Sequence, residues 1–480
     1  MHTMHQYPKT VQSWIGGGAV AGSGPSQEKY APASGVKLAD VAAAGESELA
    51  RALTSASDAF PLWAATPLSE RALILKKAAE LIKERAQEAA SIIAQECGRP
   101  DAEVMGEVGG ASVSGTYFTG ELARFEPIPL PTSHPRRTVE LVRAPVGVGA
   151  LYVPFNTPLA QIAAKTFPAL LCGNAVILKA HELTPYIPVW FAQVLKDAGV
   201  PDGVFNVLQG TGAGIGALIA SHADVSFISF TGSSSTGARI VEASAPRLAK
   251  VSIEAGGKNP FIVCDDADLL LAVNFAVASA FVDSGQRCAA ASRFLIYEGV
   301  YDTFKQAFIE KARAMRIGVG DADMGALISE ERLNALLAAV QESQNRGVTI
   351  ALGGKRNGDQ GYFMQPTVLE NVKETDPLWR QELFGPVVIF RKVSGYDEAL
   401  RLAKDSPYRL SSAIHTRTLD VAKKFAREYR AGVVRINGPT FGSEPHMPFG
   451  GPGLSGNGWR EPGVTALDFY ANWQQVSVDS

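Results

Sequence analysis

The order of apolar and polar positions divides the chain into a helical opening, an α/β middle and a second α/β region. From Ser47 to Cys97 apolar residues recur at three- and four-residue spacing. Leu49, Ala52, Leu53 and Ala56 form one such set, and Ala72, Leu73, Leu75, Ala78, Leu81 and Ile82 another, which predicts two or three amphipathic helices. Residues 10–45, rich in Gly, Ser and Ala, read as short surface strands. Pro127, Pro129, Pro131 and Pro135 exclude a helix or central strand, so a connection is expected there. Thr138 to Arg143 alternates with period two, as does Trp473 to Val478. The two are expected to pair as a small β-arm, with 138–143 an edge open to another subunit.

After Pro145, strands at 146–153, 174–179, 204–208 and 225–230 alternate with helices at 159–171, 185–198 and 214–221. That interval predicts a parallel sheet with right-handed crossovers, whose ligands bind at the carboxyl ends of its strands. Farther on, Asp268 reads as the N-cap of a helix over 269–282, a run too apolar for a surface. Cys288 is therefore expected directly after a buried helix. A second α/β segment starts at Phe294–Tyr297, with helices near 300–315 and 329–346 and strands at 367–369 and 387–390. No internal repeat or low-complexity segment is evident.

Composition narrows the function classes. At 480 residues the chain exceeds one ordinary core. Hydrophobic residues at 46% and charged residues at 19% argue against disorder. A net charge of −3 suggests neither a nucleic-acid surface nor a polyanionic tail, so a small-molecule partner is expected. Cys97, Cys172, Cys264 and Cys288 are widely spaced without C-x-x-C, which gives no disulfide framework and no zinc signature. Met1 to Lys9 lacks the apolar core of a leader, and no run reaches the ~18–20 apolar residues of a membrane span. The reading is a soluble, cytoplasmic protein that binds neither membrane nor metal.

Candidate chemistry collects at strand ends. Cys288 has small residues on its C-terminal side and stands 34 residues after Glu254, on a glycine-rich turn. A thiol so placed suits a nucleophile meeting a carbonyl, although a lone cysteine is more often a packed core residue. Asn156 follows the strand 146–153, where its amide can donate to a forming oxyanion; in isolation an Asn in a turn is usually a turn residue. Lys179 with Glu182 could hold a ribose through its two hydroxyls, and an ordinary strand-end pair is an equal reading. In Thr231–Gly237, Gly232 allows close backbone approach and the next helix N-terminus offers N–H groups to a phosphate. Gly210–Gly216 lies nearer to G-x-G-x-x-G, a weak signal alone, and counts as a secondary contact through Gly212.

Together and in this order, these pieces resemble the aldehyde dehydrogenase superfamily. Pro154-Phe155-Asn156-Thr157-Pro158 is similar to P-W-N-x-P, and Leu178-Lys179-Ala180-His181-Glu182 to the K-P-S-E segment. Phe230 to Gly237 is similar to F-T-G-S-x-x-x-G, Glu254 to Pro260 to E-L-G-G-K-x-P, and Gly285-Gln286-Arg287-Cys288 to G-Q-x-C. Glu382 to Pro386 matches E-x-F-G-P and Pro448 to Gly451 the P-F-G-G loop. The likeness runs from about residue 45 to the tail. Phe155 replaces Trp, Ala255 replaces Leu, and His181 stands where small residues are common.

The resemblance implies an α/β fold with a Rossmann-like nucleotide-binding domain over 1–126 and 146–256. An α/β catalytic domain over 257–466 and a β-arm for oligomerisation over 127–145 and 467–480 complete it. The expected reaction is NAD-dependent oxidation of an aldehyde to its acid. Cys288 is the expected nucleophile, Asn156 and the Cys288 backbone N–H the oxyanion donors, and Glu254 the base that activates water against the thioester. Lys179 and Glu182 would hold the adenosine ribose, Ser233 a phosphate and Glu382 the nicotinamide ribose, with Phe384 against the ring. Glu182 favours NAD over NADP, whereas Lys179 and a protonated His181 pull towards NADP. Lys258 reads as structural. Phe155, Gln161, Arg287 and Phe449 are the expected substrate pocket. Arg287 suits a semialdehyde carboxylate or else an internal salt bridge; the aromatic pair suits an uncharged aldehyde. A homodimer or homotetramer is expected. Coenzyme A-acylating oxidation, whose enzymes usually lack the Glu254 carboxylate, and a non-catalytic relative are the alternatives.

Overall fold

The structure, a computed structural model, describes residues 6–480. Residues 1–5, part of the stretch read above for a leader, lie outside the described residues. Five short strands come first: β1 (Thr10–Val11), β2 (Ser13–Ile15), β3 (Gly18–Val20), β4 (Gln27–Tyr30) and β5 (Lys37–Val41). Four helices follow, α1 (Glu46–Ala65), α2 (Leu68–Glu84), α3 (Ala86–Cys97) and α4 (Asp101–Gly120). The apolar periodicity predicts no helix where α4 lies. The helix carries five glycines, which weaken helix propensity and blur an apolar stripe, and tertiary packing overrides that. Gly115 lies against the Phe167 ring and Ala79, where a Cβ would come within 2.6 and 2.7 Å, so α4 beds closely on its neighbours.

Next come β6 (Ile128–Leu130), β7 (Arg137–Pro145), β8 (Val148–Tyr152), α5 (Pro158–Leu171), β9 (Ala175–Lys179), α6 (Ile187–Ala198) and β10 (Phe205–Leu208). They are followed by α7 (Ala217–Ser221), β11 (Phe227–Gly232), α8 (Ser234–Ser244) and β12 (Lys250–Ala255). One seven-stranded sheet has the order β12-β11-β8-β9-β10-β2-β3. Strands β8 to β12 run parallel, and β2 joins β10 antiparallel, so part of the expected surface region extends this sheet, with Ser13 and Ile15 buried. The winding reverses between β8 and β11, which opens a crevice at their carboxyl ends. Register aligns the chemistry there: Tyr152 pairs with Lys179 and Phe230, and Thr231 with Glu254.

Three residues carry the chain from β12 to β13 (Asn259–Val263), the start of a second sheet. Its other elements are α9 (Leu269–Phe281), β14 (Ala291–Tyr297), α10 (Tyr301–Arg313), α11 (Glu330–Asn345), β15 (Thr349–Leu352) and β16 (Thr367–Glu370). They continue with α12 (Pro377–Arg380), β17 (Val387–Val393), α13 (Tyr396–Lys404), β18 (Ser411–His415), α14 (Leu419–Tyr429) and β19 (Val433–Ile436). The order is β15-β16-β17-β14-β13-β18-β19, parallel except at β15. Asp268 caps α9 by accepting from Leu271 N at 3.1 Å, as expected. Its burial is one-sided, however: Leu270 is 76% exposed and Leu271 39%. Nor does Cys288 follow directly, because a tight turn with Asp283 and Ser284 left-handed intervenes.

The last elements are α15 (Ala466–Tyr470) and β20 (Ala471–Asp479). β20 pairs antiparallel with β7, Trp473 opposite Arg143 and Val478 opposite Thr138, as the alternation predicts. Two expectations are corrected. The proline-rich connection contains β6, which tolerates Pro129 because it is an edge strand. β7 is therefore the middle of a three-stranded sheet, and the open edges belong to β6 and β20. No helix among the described residues is long and apolar enough to cross a membrane.

Candidate active site

A cavity of about 1640 Å³ opens where the crevice of the first sheet meets loops of the second. Ligand pockets for one small molecule are usually ~300–1,000 Å³, so this space suits a dinucleotide together with a substrate. Cys288 and Asn156 line it, as do Lys179, Glu182, Gly212, Gly232, Ser233, Glu382 and Phe384, and the pocket candidates Phe155, Gln161, Arg287 and Phe449. Glu254 alone of the expected site residues does not.

Of the four cysteines, only Cys288 is less than fully buried. Burial, and then the carboxyls of Glu254 and Glu382, push its thiol well above the ordinary value. It rests as a thiol, and its ionisation has to be drawn by a base or by a bound group. Asn156 is 8% exposed and its carbonyl accepts from Arg99 Nη1 at 3.1 Å. The side-chain amide has no protein hydrogen-bond partner among the described residues and is available as a donor.

Glu254 sits at the end of β12, 4% exposed, just behind the wall formed by Thr231 and Gln161. Its Oε1 has no hydrogen-bond partner among the described residues. Burial raises its pKa to about 7, with Lys165 pulling it down and Glu461 pushing it up. Behind it lies a buried polar cluster missed by the sequence reading. Lys165 Nζ donates to Ser229 Oγ at 2.7 Å, and Glu461 Oε2 accepts from Ser229 at 2.8 Å and Ser252 at 2.7 Å. The signal was present: a lysine in the apolar run of α5, where Lys165 is 1% exposed.

Lys179 Nζ pairs with Glu182 at 2.8 Å. Burial drives His181 down to about 4, so its ring is neutral at neutral pH and the expected pull of a protonated His181 is withdrawn. The ring instead packs edge-on to Phe155 at 5.3 Å, and Phe155 edge-on to Phe384 at 5.7 Å. Ser233 caps α8, accepting from Thr236 N at 3.3 Å, and Thr211 caps the turn at Gly212, accepting from Gly214 N at 3.0 Å. Both glycine-containing turns thus present backbone N–H groups to one cavity. Glu382 accepts from Gly257 N at 3.0 Å and lies so close to Gly256 that a Cβ there would fall 1.9 Å from its Oε2. Burial raises its pKa to about 7.

Arg287 satisfies both of its readings in part. Its Nε pairs with Asp283, and its guanidinium lies 4.3 Å over the Phe441 ring, yet it still lines the cavity. Lys258 is buried off the cavity, with Nζ unpartnered and its pKa lowered to about 7 by burial.

Cys288 and Asn156 thus line one cavity, and Glu254, expected to face the sulfur across the cleft, lies outside its lining. The Aldehyde dehydrogenase family model matches residues 20–476. The chain belongs to the aldehyde dehydrogenase family. It is 37% identical over 431 residues to alpha-ketoglutarate semialdehyde dehydrogenase of Haloferax volcanii, covering 88% of this chain and 89% of that one. It is 36% identical to mitochondrial benzaldehyde dehydrogenase of Antirrhinum majus, covering 95% of this chain and 86% of that one. Among solved structures, the NAD+ complex of aldehyde dehydrogenase from Bacillus cereus is similar at a TM-score of 0.95 and 32% identity, covering 99% of this chain and 97% of that one. As a member of this family of oxidoreductases the chain is an enzyme that acts on aldehydes.

Proposed function

We propose that this enzyme oxidises an aldehyde to its carboxylic acid with NAD as acceptor, through a thiohemiacetal and then a thioester on Cys288. The observation that carries the reading is that the one accessible cysteine shares a cavity wall with an unpartnered amide. The cavity fits NAD: Lys179 and Glu182 would hold the adenosine ribose, the turn at Gly232 and Ser233 a phosphate, Glu382 the nicotinamide ribose and Phe384 the ring face. Neutral His181 and the Glu182 carboxylate favour NAD over NADP. When bound, the nicotinamide supplies a hydride acceptor.

The protein's own groups do the rest. Cys288 Sγ, its proton passing to water, attacks the carbonyl carbon, and the Asn156 amide with the Cys288 backbone N–H receives the developing oxyanion. Asn156→Ala is expected to lower kcat ~10²–10³-fold, the usual effect of losing one such donor. Steady-state rates check this, and a change under threefold would remove Asn156 from the oxyanion site. Glu254, through a side-chain turn or an intervening water, takes the proton of the water that hydrolyses the thioester. Its presence speaks against the coenzyme A-acylating alternative.

Two substrate classes have support. Phe155, Phe441 and Phe449 favour an uncharged aromatic or aliphatic aldehyde, while Arg287, whose terminal nitrogens take no protein acceptor among the described residues, favours a semialdehyde carboxylate. The names of the two relatives reported above span the same choice. A kcat/KM panel of benzaldehyde, hexanal and succinic semialdehyde on wild type and Arg287→Leu separates them. The semialdehyde reading expects a loss of about tenfold or more on succinic semialdehyde alone, the scale of one charge-assisted contact; equal losses on all three remove Arg287 from recognition.

We further assign residues up to 126 and 146–256 to nucleotide binding, 257–466 to catalysis, and 127–145 with 467–480 to an oligomerisation arm; the two seven-stranded sheets and the sheet β20-β7-β6 support that division. The arm leaves Ile128, Leu130 and Trp473 exposed on one face and Val476 and Val478 on the other, beside two open edges on which a second copy could pair. Light scattering at micromolar concentration is expected to return a dimer or tetramer, and a monomer mass would end the assignment.

A further inference from the structure

We infer that Arg99, acting with Asp283, is a positioning residue that fixes the gap between the Cys288 sulfur and the Asn156 amide. The inference rests on the roles proposed above for those two residues. Arg99 is 3% exposed and stands in the short link between α3 and α4. Its guanidinium bonds the main chain on the amide side of the gap and a side-chain carboxylate on the thiol side.

On the amide side, Arg99 Nη1 donates to the Asn156 carbonyl at 3.1 Å and to Glu107. The other oxygen of Glu107 accepts from Leu159 N at 2.8 Å and Ala160 N at 3.2 Å, at the start of α5. The segment 156–160 is thereby tied to one cation. On the thiol side, Arg99 Nη2 forms an ion pair with Asp283 Oδ1 at 2.6 Å, and Glu103 Oε1 accepts from Asp283 N at 2.8 Å. Asp283 Oδ2 in turn pairs with Nε of Arg287, the neighbour of Cys288.

The turn so held needs holding. Asp283 and Ser284 have φ of 53° and 57°, a conformation that residues other than glycine rarely keep without support. Ser284 Oγ donates to Gly325 O at 2.8 Å, and Gln286 bonds Ala326 O at 3.2 Å and Ile328 N at 3.0 Å, but these fasten the turn only to the second sheet's side. The Arg99–Asp283 pair is the direct bridge from the turn to the loop bearing Asn156. Reactions that need two groups placed at once are sensitive to small displacements, and about 1 Å can cost ~10²-fold.

A merely structural arginine would cost stability without acting through Asn156, so a double-mutant cycle separates the two. The NADH burst rate with benzaldehyde and the KM for NAD are measured in wild type, Arg99→Met, Arg99→Lys, Asn156→Ala and Arg99→Met/Asn156→Ala. Arg99→Met is expected to slow the burst ~10–100-fold, with the KM for NAD within about twofold. Arg99→Lys, which keeps the charge among the carboxylates, should recover most of the rate. With Asn156→Ala already present, Arg99→Met should cost no more than about threefold, because the gap it sets no longer has a donor on one side. Additive losses, or a loss confined to the KM for NAD, overturn the inference. If Arg99→Met does not fold, Asp283→Asn takes its place in the same cycle with the same criteria. A wild type that gives no burst with any aldehyde sinks the function itself; one that bursts, beside an Arg99→Met enzyme that bursts equally fast, sinks only the role of Arg99.

Discussion

Glu254→Gln enzyme mixed with an aldehyde and NAD is expected to release one NADH per site and then nearly stop. Acylation draws on Cys288 and Asn156, neither of which needs the carboxylate, whereas hydrolysis of the thioester needs a base for water. Loss of a general base typically costs ~10²–10⁴-fold, so the steady rate after the burst should fall by that factor. The same residue sets the pH dependence in wild type. Burial raises its pKa to about 7, and the base works in its ionised form, so deacylation should be full above that pH and fall about tenfold per unit below it. Stopped-flow absorbance of NADH reads both quantities. Undiminished turnover by Glu254→Gln would remove it as the base, and transfer to coenzyme A unaffected by the substitution would favour the acylating alternative.

Cys288→Ala should oxidise no aldehyde above background, a loss on the order of 10⁶-fold, as is usual when a nucleophile is deleted. NAD binding, followed by protein fluorescence, should survive, because the residues proposed to hold the ribose and phosphate lie elsewhere in the chain. Iodoacetamide should modify Cys288 in preference to the buried Cys97, Cys172 and Cys264, and faster as the pH rises, because its thiol is held protonated. Residual oxidation by Cys288→Ala above a thousandth of wild type would contradict covalent catalysis at that sulfur.

Much of this site was legible because it is built from strand ends, and a strand end announces itself locally. A buried apolar run followed by a polar turn marks Asn156, Lys179 and Thr231 in the sequence, whereas β12, which carries Glu254, has no counterpart in that pattern; parallel register sets Lys179, Tyr152 and Phe230 side by side. The alternation of 138–143 and 473–478 gave the pairing of β7 with β20, because period two on both strands admits few registers. What local pattern does not carry is contact across the fold. Arg99 meets Asn156 57 residues on, and Ser229 meets Glu461 232 residues on, with no periodicity to connect them. Helix α4 escaped because its glycines hide the face on which Val104, Val108, Ala111 and Phe118 are buried. The neutral state of His181 also follows from its surroundings rather than its neighbours in sequence, since burial decides it.

The central claim is that the acyl group passes through the sulfur of Cys288 before water removes it. Glu254→Gln enzyme quenched in acid after its burst with benzaldehyde and NAD, digested and weighed by mass spectrometry, tests it directly. The account expects a benzoyl group on the peptide that contains Cys288, in amount equal to the NADH released and removable by hydroxylamine. A full burst of NADH with Cys288 recovered unmodified would contradict it.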